Sequence, residues 1–240
     1  MKTYLYTIVF RLLDGLASLF YPDHCVMCDR ELNQQDKHFC FVCREDLHYT
    51  YFELYEGDDT YADQVFWGRL NIEGVYSMLY FEKGNTTQRL LHQIKYSQGR
   101  ELGKYLGKMM GHKLKESGRF SSVTGVVPVP LHSKKEFQRG YNQSLAIVEG
   151  VCEVLGVPIA DVLYRVTHDA SQTRKSKEER YENVKGKFAL KPNVSIDHQH
   201  LLIIDDVLTT GATLEFVSRA LLDSSTTVKV QIATLAIAYS

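Results

Sequence analysis

Apolar positions along this chain alternate between two periods, and the alternation predicts its elements. From Leu5 to Phe20 the apolar residues recur at helical spacing (Leu5, Ile8, Val9, Leu12, Leu13, Leu16, Leu19), and Pro22 ends the run. Residues 57–73 form a connector in which Phe66, Trp67 and Leu70 are the expected packing anchors. Val75 to Phe81 is dense in apolar and aromatic residues, a strand that Gly84-Asn85 turns. Helices follow over 86–96, with Leu90, Leu91 and Ile94 on one face, and over about 101–115, with Leu102, Leu106, Met109, Met110 and Leu114 inward. Val123 to Pro130 is the next strand. Its two prolines lack a donor for a ladder, which implies a fixed exit loop over a pocket. Residues 132–142 read as a loop, and 143–155 as a helix carrying Leu145, Ala146, Val148, Val151, Cys152 and Leu155 inward. A short strand at 187–190, an apolar strand at 201–204, a helix through Ala212, Leu214, Phe216, Val217, Ala220 and Leu221, and a strand at 227–238 complete the series. Strands alternating with helices predict an α/β fold, a largely parallel sheet flanked by helices. The expected division is 1–56 for an N-terminal helix and small cysteine module, and 57–240 for the α/β domain.

The stretch from Leu201 to Thr213 carries the strongest chemistry. Four apolar residues, two of them β-branched, read as a buried parallel strand. Asp205 and Asp206 follow at its end, then Val207-Leu208-Thr209-Thr210-Gly211-Ala212-Thr213 leads into the helix. Amides in a tight turn at a helix N-terminus point outward, and the helix field favours an anion. Gly211 permits a bend and close backbone approach, and three threonines add hydroxyl donors, so 208–213 reads as a phosphate cradle. Like charges repel, so the two carboxylates serve something else. They suit sugar hydroxyls, directly or through a divalent cation. This stretch resembles the phosphoribosyl-pyrophosphate (PRPP) signature of the type I phosphoribosyltransferases. The resemblance implies that Asp205 and Asp206 contact the ribose hydroxyls and that Val207–Thr213 wraps the 5-phosphate.

The 240 residues suffice for one α/β domain and a small module. Apolar content of 44% and charged content of 24% are ordinary for a globular protein, and a net charge of −1 gives no global attraction to nucleic acid or membrane. No stretch supplies the roughly 20 apolar residues of a membrane span. Arg11 and Asp14 interrupt the N-terminal segment, so no signal peptide is read and a cytoplasmic location is expected. Of the five cysteines, Cys152 is expected in the core, and Cys25/Cys28 and Cys40/Cys43 form two Cys-x-x-Cys pairs separated by eleven residues. Four thiolates match a tetrahedral structural Zn²⁺; a rubredoxin-like iron site uses the same ligands. A segment this short and poor in apolar residues needs such a staple. Its surroundings are acidic (Asp23, Asp29, Glu31, Asp36, Glu45, Asp46), which favours a structural or docking role over phosphate-backbone binding.

Lys134, Lys135 and Arg139 lie beyond a strand end, and 165–187 is polar and net positive. The motifs Pro128-Val129-Pro130-Leu131-His132, Arg139-Gly140-Tyr141-Asn142-Gln143 and His92-Gln93-Ile94-Lys95-Tyr96, taken with the cysteine pairs, are similar to the competence protein F family. That family joins a four-cysteine zinc module to a phosphoribosyltransferase-like domain, and the resemblance runs over almost the whole chain from Cys25. It implies PRPP with Mg²⁺ as ligand and a role in natural transformation, acting on incoming single-stranded DNA with a helicase-like competence partner. It further implies glycosyltransferase chemistry at ribose C1, in which Asp205, Asp206 and Arg174 act in catalysis and Lys134, Lys135 and Arg139 contact pyrophosphate. Arg174 falls in the segment where the type I enzymes place a flexible catalytic loop. Two readings stay open: turnover with an unidentified base or amine, and an accessory protein that holds DNA without turnover.

Overall fold

The computed structural model describes residues 23–33, 35–55, 59–96, 99–166 and 187–238. The chain divides into two units, one ending at Leu47 and the other beginning at His48. The helix expected over 4–20 lies outside the described residues.

In the smaller unit His24 and Glu31 bridge antiparallel. The Cys25 N–H donates to the Arg30 carbonyl at 2.8 Å, and the Asp29 N–H donates to the Cys25 carbonyl at 2.9 Å. Asp29 takes the left-handed conformation (φ 59°) that closes this turn, a conformation Asp tolerates better than most residues. Helix α1 (Phe41–Glu45) starts directly after Cys40. A bond from the Val26 N–H to the His38 carbonyl, 2.9 Å, ties the two turns together.

The larger unit is built on four parallel strands: β1 (Gly74–Phe81), β2 (Gly125–Pro128), β5 (His200–Leu208) and β6 (Lys229–Ala238), in the order β1-β6-β5-β2. The other elements in chain order are α2 (Tyr61–Gln64), α3 (Thr86–Gln93), α4 (Gly99–Ser117), α5 (Ser133–Arg139), α6 (Gln143–Leu155), the antiparallel pair β3 (Leu163–Arg165) and β4 (Phe188–Leu190), and α7 (Ala212–Leu222). Leu201, Leu202, Ile203 and Ile204 are completely buried, as the unbroken apolar run of an interior parallel strand requires. Among the described residues no helix is long and apolar enough to cross a membrane.

The structure departs from the sequence pattern at five places. First, β5 does not stop before the carboxylates. It runs to Leu208, with Asp205 opposite Thr234 and Val207 opposite Ala236, because β6 continues beside it and supplies the ladder. Second, the expected loop at 132–142 contains helix α5, capped by His132 and closed by Gly140 at φ 79°. None of its residues is buried, so it has no apolar period to reveal it. Third, Phe66 is buried but Trp67 is 59% exposed. Fourth, Cys152 is only half-buried. Fifth, residues 48–55, grouped by sequence with the cysteine module, hydrogen-bond to β1. Tyr80 N–H donates to the His48 carbonyl at 2.8 Å, and Thr50 N–H to the Met78 carbonyl at 3.0 Å.

Asp63 anchors the connector. Its Oδ2 accepts from the Thr60 N–H and hydroxyl, both at 2.7 Å, and its Oδ1 from the Val75 N–H at 2.6 Å and Arg119 at 2.9 Å. A buried carboxylate with four donors is well compensated. It ties the connector to the start of β1 and fixes where Phe66 and Arg69 lie.

Helices α4 and α6 approach unusually closely. A Cβ added at Gly107 would stand 2.1 Å from the Ile147 carbonyl oxygen, and one at Gly150 would stand 2.1 Å from the Lys104 carbonyl oxygen. Gly103 and Gly111, one turn either side of Gly107, face Ala146 and Val154. Both obstructions are backbone, which cannot swing aside. Gly107→Ala should therefore destabilise the protein despite the higher helix propensity of alanine, by about 2 kcal/mol. The measurable outcome is a melting temperature lowered by roughly 4 °C or more.

Candidate functional site

The site lies at the carboxyl end of the sheet, where one strand ends before its neighbour. β2 pairs with β5 only as far as Pro128 opposite Ile204. One more bond, from the Val129 N–H to the Ile204 carbonyl at 3.1 Å, holds the exit before the chain turns away. Asn142 then holds the exit from outside, donating its amide to the Val129 carbonyl at 3.0 Å. β5 runs on, and Asp205 and Asp206 line the space that β2 vacates. This cleft, of about 220 Å³, is also lined by Val129, Pro130, Leu131, Gln143, Ser144, Thr213 and four cationic side chains, Lys95, Lys135, Arg139 and Arg165. Clefts beyond the carboxyl ends of strands are where open α/β sheets hold ligands.

The carboxylates are not equivalent. Asp205 Oδ1 accepts from the Ser144 hydroxyl and from the Asp206 N–H, both at 2.9 Å. Burial, and then the adjacent Asp206 charge, push its pKa up to about 7, against the opposing pull of those hydrogen bonds and of Lys95. Asp206 is partly exposed and forms an ion pair with Lys95, Nζ to Oδ2 3.7 Å.

Lys95 reaches the cleft because two sequence motifs meet. The Tyr141 hydroxyl donates to the Ile94 carbonyl and lies 3.4 Å from the Tyr96 carbonyl, so Arg139–Gln143 holds the turn that carries Lys95. Burial raises the Tyr141 pKa to about 12, with nearby Arg139 opposing, and the phenol stays a donor. Gly99 is required beside it, since a Cβ there would lie 2.6 Å from the Tyr141 oxygen and 2.5 Å from the Gln93 carbonyl oxygen. Asn142 caps α6, its side chain accepting from the Ser144 N–H at 3.0 Å, and so sets Ser144 against Asp205.

The turn after β5 has its own supports. Gly211 is in the left-handed region (φ 74°) and is the N-cap of α7, with no side-chain cap bond. A Cβ at this position would stand 2.8 Å from the Phe66 ring. Arg69 donates to the Thr210 carbonyl at 2.9 Å and to the Val65 carbonyl at 3.0 Å, and pairs with Glu215 in the first turn of α7 at 2.5 Å. Thr209, Thr210, Ala212 and Thr213 are exposed.

Of the residues singled out from sequence, Asp205, Asp206, Thr213, Lys135 and Arg139 line the cleft. Val207, Leu208, Thr209, Thr210, Gly211 and Ala212 form the adjoining strand end, turn and helix start. Lys134 sits on α5 but is not in the lining. Arg174 lies outside the described residues. Lys95, Gln143 and Ser144 join the site although no single motif marks them, because the motifs that hold them meet only in the fold. Arg165 was seen only as one charge in a basic segment.

In the smaller unit the sulfur atoms of Cys25, Cys28, Cys40 and Cys43 all lie within 4.8 Å of one another, and Cys28 and Cys40 are 3.7 Å apart. Tetrahedral Zn–S bonds of about 2.3 Å separate the sulfurs by about 3.8 Å, whereas a disulfide needs about 2.05 Å. The donor set fits a metal ion. Burial opposes ionisation of Cys25, but the backbone N–H groups of Cys40, Met27 and Cys28 outweigh it and bring the pKa down to about 7, while burial and the neighbouring thiols push Cys43 up.

No protein-family model matches the chain. It is 30% identical over 137 residues to the DNA utilization protein YhgH of Salmonella typhi, covering 55% of this chain and 60% of that protein. It is 26% identical over the same length to competence protein F of Haemophilus influenzae, with the same coverage. It is 36% identical over 110 residues to competence protein ComFC of Bacillus subtilis, covering 46% of this chain and 43% of that one. The chain thus spans less than two thirds of the length of the curated relatives it matches. Among solved structures it is similar to glutamine PRPP amidotransferase from Bacillus subtilis (TM-score 0.40, 20% identity, 59% of this chain and 30% of that one). It is also similar to a hypoxanthine phosphoribosyltransferase from Staphylococcus aureus (TM-score 0.34, 19% identity, 65% and 73%). A distant relationship to competence and DNA-utilization proteins therefore accompanies a parallel α/β sheet and a four-cysteine cluster.

The raised pKa of Asp205 has a thermodynamic sign. The folded protein holds this proton more tightly than the unfolded chain, so its contribution to stability is present below the usual carboxylate pKa near 4 and is lost as pH rises towards 7. Asp205→Asn lacks that loss. Thermal melts at pH 5 and pH 8 should show the variant gaining stability relative to the wild type at the higher pH.

Proposed function

We propose that the cleft binds PRPP, or a closely related ribose phosphate, together with Mg²⁺, and that the protein serves the handling of incoming DNA. The observation that carries this reading is one arrangement: an adjacent pair of carboxylates sharing a cleft with four cationic side chains and with Thr213 in the first turn of α7. A sugar diol with phosphate at one end and pyrophosphate at the other needs acceptors in the middle and donors on both sides. Asp205 and Asp206 accept from the ribose hydroxyls. The amides and hydroxyls of 208–213 hold the 5-phosphate, whose binding energy goes into positioning the ring. Lys135 and Arg139, both in the cleft lining, meet the pyrophosphate. Two neighbouring carboxylates are hard oxygen donors of the kind Mg²⁺ takes, and the ion when bound neutralises pyrophosphate charge. In a transfer reaction an acceptor's lone pair forms the new bond to C1 as the C1–O bond breaks, and pyrophosphate leaves with that bond's electron pair; the cationic side chains stabilise the developing charge. In the same reading the cysteine cluster holds a structural Zn²⁺.

A second reading has its own support. Phe137 is 91% exposed on α5, between Lys134 and Lys135 on one side and Arg139 on the other. An exposed ring among cations suits stacking with bases of a single strand, and one similar protein, that of Salmonella typhi, is a DNA utilization protein.

Calorimetric titration with PRPP and Mg²⁺ should show binding that the double variant Asp205→Asn, Asp206→Asn weakens at least about tenfold, as expected for loss of charged hydrogen-bond partners. An unchanged affinity would remove the ribose assignment. Pyrophosphate release against a panel of bases, amines and single-stranded DNA then separates an enzyme from a binding protein. Metal analysis of the purified full chain should give one Zn²⁺, lost in Cys25→Ser, together with faster proteolysis of the first 47 residues; iron in its place would correct the metal and keep the cluster.

A further inference from the structure

We propose that Arg69, on the connector and outside the cleft, is a positioning residue that locks the Thr210–Gly211 peptide so that the Gly211 N–H is presented to the anion. This inference rests on the ribose-phosphate reading above and deepens it by naming what orients the cradle.

The C=O and N–H of a trans peptide lie in one plane and point in opposite directions. A bond to the Thr210 carbonyl therefore fixes the direction of the Gly211 amide. Arg69 makes that bond at 2.9 Å, from the side of the turn on which Val65 and Glu215 also hold it. The side chain has no freedom to leave. Its Nε and second terminal nitrogen both reach Glu215 Oε2, at 3.0 Å and 2.5 Å, and the nitrogen that serves Thr210 also serves the Val65 carbonyl at 3.0 Å. Glu215 is held in turn by Arg219, at 2.9 Å, and Arg219 donates to the Arg69 carbonyl at 2.9 Å. The planar guanidinium is what permits several bonds at fixed angles, and an ammonium cannot reproduce them.

A lock is needed here because the turn is otherwise free to turn over. Glycine populates positive and negative φ about equally, so the Thr210–Gly211 peptide has little intrinsic preference. Phe66 requires the glycine, since any Cβ would meet its ring at 2.8 Å. The same contact that excludes a stiffer residue therefore leaves orientation to Arg69. Neither Arg69 nor Phe66 lines the cleft, whereas Thr213, one turn-length on, does. With the carbonyl bound by Arg69, which lies outside the cleft lining, the amide points away from Arg69. A peptide turned the other way would offer a carbonyl oxygen to a phosphate and repel it.

The test compares wild type, Arg69→Gln, Arg69→Lys and Glu215→Gln in the full chain, with ribose 5-phosphate and inorganic pyrophosphate titrated separately. Both Arg69 variants should lose about tenfold or more in ribose 5-phosphate affinity, the scale of one charge-assisted hydrogen bond, and keep pyrophosphate affinity within about twofold. Glu215→Gln keeps an acceptor for Arg69, so it should lower the melting temperature without changing the ratio of the two affinities. Equal losses for both ligands, or a Glu215→Gln ratio shifted as far as that of Arg69→Gln, would make the residue merely structural and overturn the proposal. A second readout needs no ligand. In a crystal structure of free Arg69→Gln the Thr210 carbonyl should turn over or split between two orientations, and a single unchanged orientation overturns the lock. Wild type that binds neither anion would instead overturn the ribose-phosphate reading, with the carbonyl orientation still deciding the role of Arg69.

Discussion

Unequal strand lengths impose the constraint from which the cleft follows. β6 accompanies β5 to Leu208, but β2 leaves it after Ile204. Beyond that point β5 is paired on one side and bare on the other. An interior parallel strand could not carry two carboxylates, because charge taken out of water without partners costs several kcal/mol. A strand with one vacated side can. Its acids sit against the sheet, held by Ser144 and Lys95, and still face an opening. The desolvation that remains is visible in Asp205, whose proton is held up to about pH 7. The prolines at 128 and 130 belong to the same constraint, since they end the ladder on the β2 side.

Around that opening the cationic groups arrive from separate segments, and each depends on packing elsewhere. Lys95 is delivered by the turn that Tyr141 holds, and Ser144 by the cap that Asn142 makes. Both sit where they do because α4, which follows that turn, lies directly against α6. Glycines at 107 and 150 let backbone meet backbone. Dispersion over such a close contact is large in sum although each pair of atoms contributes little. The helix pair therefore does more than close the core: it sets the distance between two motifs about 45 residues apart in the chain. The connector plays the matching part on the other side, where Asp63 fixes its start and Phe66 and Arg69 brace the Gly211 turn.

Much of this was legible in the chain, for reasons that can be named. The apolar run Leu201–Ile204 announced an interior parallel strand because both faces of such a strand are dry. Helices α4, α6 and α7 were visible because each buries one face, and the cysteine pairs because metal geometry demands that spacing. Helix α5 was not visible, since nothing on it is buried. The glycines at 99, 103, 107 and 111 recur every four residues and could have been read as a helix face. Hydrophobic periodicity does not carry that signal, because it counts only side chains that are present.

The sequence by itself determined the elements that bury a face, the parallel α/β class, the cysteine cluster and the diacid followed by a small-residue turn, because these depend on local periods and on residues near one another in the chain. The tertiary structure alone decided that the carboxylates stand within a strand, that Lys95, Ser144 and Arg165 share their cleft, and that Arg69 reaches the Thr210 carbonyl from 141 residues away. Strand length is set by where a neighbour stops, and side chains from distant segments meet only when the backbones between them have packed. No period or motif in the chain carries either quantity.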